Sequence, residues 1–358
     1  MLSAQNLAVD AVRRPEALAS LDLAGWDRLL RQARNANLLG RICVLLEGRD
    51  LLRIVPAPAR HHLESARTVA RRHASAVRWE VRCIQQALSD VGIPIILLKG
   101  AAYLMAELPP AAGRLFSDID ILVPKDRLGA VEANLMLHGW SAKHHGPYDQ
   151  RYYRTWMHEL PPMRHATRLS VIDVHHAILP ETARLRPDPE LLRASARPLE
   201  GGNLMVLAPA DMVLHGSVHL FHDGEFNSAL RDLVDLDLLL RDFAASSGFW
   251  EELLERATLL QLTRPLFYAL RYTRRILGTP VPEQTLRDAN VGRPPPGLLQ
   301  LMDTLLMRGL RSRHAMCDDW LTRPSLCLLY VRAHWMRMPP FLLARHLLHK
   351  ALANEDEK

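Results

Sequence analysis

The sequence predicts an α+β protein in which a small mixed sheet is flanked by an N-terminal and a C-terminal helical region. Over residues 1–90, and again from residue 209 onward, apolar residues recur at spacings of three and four, which is typical of amphipathic helices. Between these regions, short apolar runs end at glycine or proline, which indicates buried strands. We therefore expect an N-terminal helical region over 1–90, an α/β core over 91–208 and a C-terminal helical domain over 209–358.

The N-terminal region is expected to end in a long helix. The stretch "PAPARHHLESARTVARRHASAVRWEVRCIQQALSDVG" has Pro56 and Pro58 at its start and Gly92 just past its end. Proline is favoured in the first turn of a helix and glycine after the last turn. The arginines and histidines of this stretch are expected to line a solvated face.

The core is expected to alternate strands and helices. Predicted strands are "IPIILLKG" (93–100), "DIDILVP" (118–124), a strand pair within 158–179 that turns near Ala166–Thr167, and "NLMVLAP" (203–209). Predicted helices are 101–108, stopped by Pro109 and Pro110, and 125–140, with Gly139 as the C-cap.

The C-terminal region is expected to be helical from "PADMVLHGSVHLFHD" (209–223) onward, with a loop over 280–297 because of its proline and glycine content. The stretch 335–352 is basic and amphipathic. We expect it to pack on its own domain, and an interfacial helix is the alternative.

Composition places the chain among soluble globular proteins, with 358 residues, 48% hydrophobic and 23% charged. The formal charge of +6 is a mild bias that suits an anionic small molecule or a nucleic acid without selecting either. The four cysteines form no CxxC pair, which argues against a zinc site and against a disulfide framework. It also fits a reducing, cytoplasmic compartment. We expect no signal peptide, because the N-terminus lacks an uninterrupted apolar stretch, and no membrane span, because no apolar run reaches about 18 residues.

Two carboxylates stand one residue apart in the second predicted strand. Side chains alternate along a strand, so Asp118 and Asp120 are expected to share a face, about 6–7 Å apart, while Ile119 points into the core. Carboxylates so placed repel one another unless a cation such as Mg²⁺ or Mn²⁺ lies between them. Asp173, in "SVIDVHH", is the natural third ligand of a two-metal site. The structural alternative is a chance Asp-x-Asp pair that starts a strand or faces solvent.

The surrounding residues weaken that alternative. In order along the chain stand "LLKGAA" (97–102), Arg114, "SDIDILV" (117–123) and "VIDVHH" (171–176). This series resembles the nucleotidyltransferase superfamily that includes polymerase β and the aminoglycoside nucleotidyltransferases. More narrowly, it is similar to a bacterial family of largely uncharacterised nucleotidyltransferases, in which Lys-Gly replaces the more usual Gly-Gly or Gly-Ser. The likeness covers roughly residues 25–245.

The resemblance implies a small mixed-sheet nucleotidyltransferase core and assigns roles to its residues. Asp118 and Asp120 would bind metal, and Asp173 would bind the catalytic metal and help to deprotonate the attacking hydroxyl. Gly100 would permit a close turn that brings backbone N–H groups to triphosphate oxygens.

Four further residues are expected at the nucleotide. Lys99 would add positive charge at the triphosphate or anchor the strand end. Arg114 and Ser117 would contact phosphate or support the loop. His175 shares the face of Asp173 by alternation, so it is expected to orient that carboxylate or touch the nucleotide, with a structural role as the alternative.

The expected reaction transfers an NMP from an NTP, with ATP as the expected donor, to a hydroxyl or phosphate of a small molecule, peptide or protein, with release of pyrophosphate. The alternatives are the same chemistry on tRNA or another RNA, and a non-catalytic nucleotide-binding scaffold. The three intact aspartates speak against a scaffold. The sequence predicts no oligomeric state.

Other candidates lie in the C-terminal region. His215, His219 and His222 follow helical spacing and could share a metal, as in a hydrolase, but packing or substrate contact is favoured. Asp235 is interpreted as a helix-surface residue, with a position in the cleft as the alternative. The basic stretches 271–277 and 307–314 could bind an RNA backbone, and solvated helix faces are the favoured interpretation.

Overall fold

Helices surround a mixed seven-stranded sheet in the part of the chain that the computed structural model describes, residues 6–142, 156–200, 202–222, 224 and 226–338. The predicted α+β class is confirmed. The strands lie between residues 95 and 206, and helices precede and follow them along the chain.

The N-terminal helices pack through apolar stripes, and the long predicted helix is confirmed. It begins directly after Pro56, and the chain leaves it through Gly92, whose φ of 66° is left-handed. One stripe of this helix is buried because apolar residues recur every seven positions, at Leu63, Ala70, Val77 and Ile84. The helices are α1 (Leu7–Arg13), α2 (Leu23–Asn35), α3 (Leu39–Gly48) and α4 (Ala57–Ala87).

The sheet combines parallel and antiparallel neighbours in the order β3-β4-β5-β2-β1-β7-β6. Strand β2 lies at its centre, parallel to β5 and antiparallel to β1, and β1 is parallel to β7. The strands are β1 (Ile95–Leu97), β2 (Ile119–Leu122), β3 (Trp140–Ala142), β4 (Met163–His165), β5 (Val171–His175), β6 (Arg197–Pro198) and β7 (Leu204–Val206). The helices of this region are α5 (Lys99–Met105), α6 (Leu128–Leu137) and α7 (Pro189–Ala194).

The register of β2 and β5 brings two acidic residues together. Asp120 is the Cα partner of Asp173, and Ile119 is the partner of Ile172. Because side chains alternate, the two aspartates share one face of the sheet and the two isoleucines share the other. Both isoleucines are buried in the hydrophobic core, so burial of the apolar face specifies the register that pairs the acids.

The predicted strand pair within 158–179 is confirmed as β4 and β5, which are antiparallel. Their connection closes through a hydrogen bond that the His165 N–H donates to the Ser170 carbonyl, 2.9 Å. The turn at Ala166–Thr167 therefore falls where the sequence predicts it.

The C-terminal helices include one that the sequence does not predict. The expected loop over 280–297 is wrong in part, because it contains α12 (Glu283–Asp288) and a 3₁₀ turn, Ala289–Gly292. Pro282 precedes the first helical residue, a position where its missing N–H costs nothing. The other helices are α8 (Pro209–His222), α9 (Ala229–Phe243), α10 (Phe249–Leu259), α11 (Thr263–Tyr272), α13 (Pro296–Gly309) and α14 (Thr322–Arg337).

None of the helices within the described ranges combines the length and the apolar character that a membrane span requires. Most of the basic stretch 335–352 lies outside the described residues.

The two other basic stretches, 271–277 and 307–314, form ion pairs with carboxylates, which favours their interpretation as solvated helix faces. The pairs are Arg271 and Arg275 with Asp303, Arg274 with Glu283, and Arg308 and Arg311 with Asp319.

Candidate active site

The turn from β1 into α5 places two predicted residues in a different geometry from the expected one. Lys99, not Gly100, adopts the left-handed conformation, with φ 45°. That conformation costs a residue with a Cβ about 1–2 kcal/mol. Gly100 lies inside α5, and a Cβ there would lie 2.7 Å from Arg114 Nη1 and 3.1 Å from Phe116 Cδ1. Glycine is therefore required for the approach of these side chains.

Asp120 is a buried carboxylate with two cationic or polar neighbours. Its Oδ1 accepts hydrogen bonds from Lys99 Nζ at 2.9 Å and from His175 Nε2 at 3.0 Å. Burial alone would raise its pKa, but the Lys99 charge and the bond from His175 outweigh burial and hold the pKa well below the usual range. Asp120 is therefore ionised at any physiological pH.

Asp173 lies beside Asp120 and is in a different electrostatic state. Its Oδ1 is buried and has no hydrogen-bond partner among the residues that the structure describes. Burial, and then the negative charges of Asp120 and Glu159, raise the pKa of Asp173 to about 7. The carboxyl group thus lacks the compensating charge that Asp120 receives.

Asp118 and Ser117 stand at the rim of the same site, immediately before β2. Asp118 is partly exposed, and its Oδ1 accepts a hydrogen bond from Ser117 Oγ at 2.7 Å. Asp118 lines a cleft together with Asp120, and its charge also contributes to the raised pKa of Asp173. The structure therefore places Asp118 beside Asp120 at the cleft and Asp120 beside Asp173 on the sheet, but among the described residues the three aspartates do not form a group with metal-ligand spacing.

Arg114 supports the fold around the cleft. It is buried, its Nε donates to Asp235 Oδ2 at 3.1 Å, and its Nη1 donates to the Leu115 carbonyl at 3.2 Å. Arg41 Nη1 donates to the other oxygen, Asp235 Oδ1, at 2.6 Å, and Arg41 Nη2 donates to the Pro110 carbonyl. The favoured interpretation of Asp235 as a surface residue is wrong, because this ion triplet is buried.

Helices α8 and α9 supply a second wall of the cleft, which includes His219 and Asp235, for which the sequence offers substrate contact and a position in the cleft as interpretations. This wall contains Gly216, His219, Arg231 and Asp232. Arg231 and Asp232 are themselves paired, with Nη2 and Oδ1 2.7 Å apart. Adjacent opposite charges on a helix are common, so no local pattern marks these residues in the sequence.

His175 lies two residues after Asp173 on the same face of β5, and its side chain contacts Asp120 and Glu159. A carboxylate only accepts hydrogen bonds, so His175 Nε2 donates to Asp120, while His175 Nδ1 lies 3.3 Å from Glu159 Oε2. Burial would lower the pKa of His175, but the bond to Asp120 and the charge of Glu159 outweigh it and raise the pKa. Glu159 is a site residue that the sequence pattern does not reveal.

The histidines of α8 have separate environments. His215 and His222 are buried, and His219 lines the cleft. Burial, and then the charge of Lys99, hold the pKa of His215 well below its ordinary value, so this side chain is neutral. Within the described part of the chain, the three histidines form no group with metal-ligand spacing, and Asp223 lies outside that part.

Comparison with known proteins identifies the family of the chain. A family model described as an uncharacterised nucleotidyltransferase matches residues 22–278, well over half of the chain. No curated protein and no solved structure matches the chain. The matched span contains all three aspartates, Lys99, Arg114 and the cleft wall from α8 and α9. The chain belongs to this uncharacterised nucleotidyltransferase family.

Proposed function

We propose that the chain is a metal-dependent nucleotidyltransferase that moves an NMP from an NTP, with ATP as the expected donor, to a hydroxyl or phosphate of an acceptor and releases pyrophosphate. The acceptor would be a small molecule, a peptide or a protein. One observation carries the proposal: Asp120 and Asp173 are partners on adjacent parallel strands, and Asp118 stands at the same cleft.

The three carboxylates suit a hard divalent cation. Mg²⁺ and Mn²⁺ take oxygen ligands, and Asp173 offers a buried oxygen that no donor in the described part of the chain satisfies. The raised pKa of Asp173 reflects negative charge that a cation would compensate. Asp118, Asp120 and Asp173 would hold the ion, which when bound supplies charge stabilisation to the transferring phosphoryl group.

The chain's own residues would divide the remaining work. Lys99 and His175 fix the carboxylate of Asp120 from two directions. Asp173 would accept the proton of an acceptor hydroxyl. Ser117 lies at the rim, and its hydroxyl would donate a hydrogen bond to a phosphate oxygen.

Two grooves meet at Ser117 and Asp118, and this arrangement supports a reaction between two substrates. The first is the charged cleft with Lys99 and Arg231, which suits a triphosphate. The second runs between α4 and the sheet and contains Trp79, Phe116 and Arg168, among others. It would receive an acceptor with an apolar or aromatic part.

Substitution of the carboxylates tests the proposal. Each NTP with Mg²⁺ is incubated with the protein and cell extract, and nucleotide transfer is followed as a mass shift. Asp118→Asn and Asp173→Asn should reduce transfer by more than the roughly 10–100-fold that loss of an outer-shell metal partner causes. Asp126→Asn, an exposed aspartate just after β2, is the matched control and should keep full activity.

Binding measurements separate donor recognition from chemistry. Wild-type protein should bind its preferred NTP in the presence of Mg²⁺ and much more weakly in EDTA. Full transfer activity in both Asp118→Asn and Asp173→Asn would refute the proposed role of the cluster.

A further inference from the structure

A second group of potential metal ligands lies next to the carboxylates, and only one of its members, His175, has a role in the proposed reaction. His158, Glu159 and His175 each offer one ligand atom, and these atoms lie within 4.8 Å of one another. The imidazole rings of His158 and His175 are 5.3 Å apart between centroids. Two imidazoles and one carboxylate are a donor set typical of transition-metal sites.

The backbone holds the three residues together. The Leu160 N–H donates to the Val174 carbonyl at 2.9 Å, and the His176 N–H donates to the His158 carbonyl at 2.8 Å. Glu159 and His175 form an antiparallel bridge. The segment that carries His158 and Glu159 is thus attached to β5 beside His175, so the sheet organises most of the site in advance.

The observed separation of two donor atoms already fits a small ion. With Zn–ligand bonds of about 2.0–2.1 Å and tetrahedral angles, two ligand atoms lie about 3.3 Å apart. His175 Nδ1 and Glu159 Oε2 are 3.3 Å apart. His158 is only partly buried, so rotation of its side chain can bring the third donor into place.

We propose that His158, Glu159 and His175 bind a divalent transition-metal ion of the Zn²⁺ class, at a site separate from the Mg²⁺ site formed by the aspartates. The donor set decides the class of ion, because nitrogen ligands suit Zn²⁺, whereas Mg²⁺ prefers oxygen and water. This inference depends on the geometry of the three side chains and not on the proposed transferase activity.

The two sites share His175. A metal ion at Nδ1 places the ring proton on Nε2, the atom that donates to Asp120 Oδ1. Outer partners of this kind fix the orientation of a ligating carboxylate. Zn²⁺ at the second site therefore positions Asp120 through His175.

Metal titration tests this site without any activity assay. Metal-free protein is titrated with Co²⁺ in the presence of excess Mg²⁺, which fills the carboxylate site, and visible absorption bands report nitrogen ligation of Co²⁺. Competition with Zn²⁺ then measures zinc affinity. We expect one equivalent of Zn²⁺ to displace the bound Co²⁺.

Variants assign the ligands. His158→Ala and Glu159→Gln should each weaken Zn²⁺ binding by about 100-fold or more, beyond the effect of losing an outer-shell partner. His61→Ala removes an exposed histidine of α4 and should bind as the wild type does. Equal melting temperatures of the metal-free proteins establish that His158→Ala and Glu159→Gln are folded.

Two results would overturn the proposal. One is an absence of stoichiometric Zn²⁺ and of Co²⁺ bands in the wild type. The other is stoichiometric Zn²⁺ that is lost in Asp118→Asn but retained in both His158→Ala and Glu159→Gln, which would assign the ion to the aspartates.

Discussion

The buried ion triplet of Arg41, Asp235 and Arg114 gives a quantitative test of what holds the cleft together. The exposed fractions of the three side chains are only 7%, 6% and 9%. Asp235→Asn removes the single anionic group between two buried guanidinium groups. Removing one partner of a buried ion pair costs about 3–5 kcal/mol, because the remaining charge has lost its compensation.

The structure places the expected cost at the lower end of that range. Arg41 keeps the Pro110 carbonyl as an acceptor, and Arg114 keeps the Leu115 carbonyl. We therefore expect Asp235→Asn to lower the free energy of unfolding by about 3 kcal/mol at neutral pH.

Urea unfolding followed by circular dichroism measures this change. Asp27→Asn is the matched control, because it breaks an ion pair with Arg31 in which both side chains are 56% exposed. Exposed pairs of this kind contribute little to stability, because water and salt screen them. A cost for Asp235→Asn no larger than that of Asp27→Asn would refute the assignment of the triplet as a buried, compensated network.

The difference in unfolding free energy between wild type and Asp235→Asn should change with pH in one direction only. Burial would raise the pKa of Asp235, but the charges of Arg41 and Arg114 outweigh it and lower the pKa. A lowered carboxyl pKa stabilises the folded state above the unfolded value of about 3.9. The difference between wild type and Asp235→Asn should therefore be constant near neutral pH and shrink only below about pH 4.

Two further predictions concern the site. Asp173→Asn should stabilise the protein above pH 7 and lose this advantage as the pH falls toward about 4. The reason is that the raised pKa of about 7 makes the wild type bear an uncompensated buried charge only at the higher pH. Melting temperatures across this range check it, and an advantage independent of pH would contradict it. Gly100→Ala should destabilise by about 1–3 kcal/mol through contact with Arg114, whereas Gly129→Ala, with no neighbour within 4 Å, should be neutral or stabilise by about 0.4–1 kcal/mol. Equal effects of the two alanines in urea unfolding would contradict the close approach at Gly100.

Local sequence patterns predict most of the strands and the shared face of the three aspartates. Alternation within "SDIDILV" and "VIDVHH" indicates which side chains share a face, because the apolar residues must point into the core. The structure agrees, since Ile119, Ile121, Ile172 and Val174 are buried. Local patterns do not predict the order of strands across the sheet, because that order depends on contacts between distant segments.

Long-range contacts account for what the sequence does not predict. Arg41 and Asp235 are separated by 194 positions, and nothing near either residue indicates the other. Glu159 stands before a Pro-Pro pair outside the regular strands, so no periodicity marks it. The close turn is predicted at Gly100 because glycine adopts left-handed conformations easily. The left-handed residue is Lys99 instead, and the tertiary structure around the turn imposes its backbone conformation.

The parallel pairing of β2 and β5 has a consequence for how such a site can change in evolution. Hydrogen-bonded strands lie about 4.8 Å apart, and this spacing, not the loops, sets the distance between the backbones that carry Asp120 and Asp173. Insertions and deletions in the connections around the cleft can therefore alter which molecules enter it while the two carboxylates keep their mutual placement.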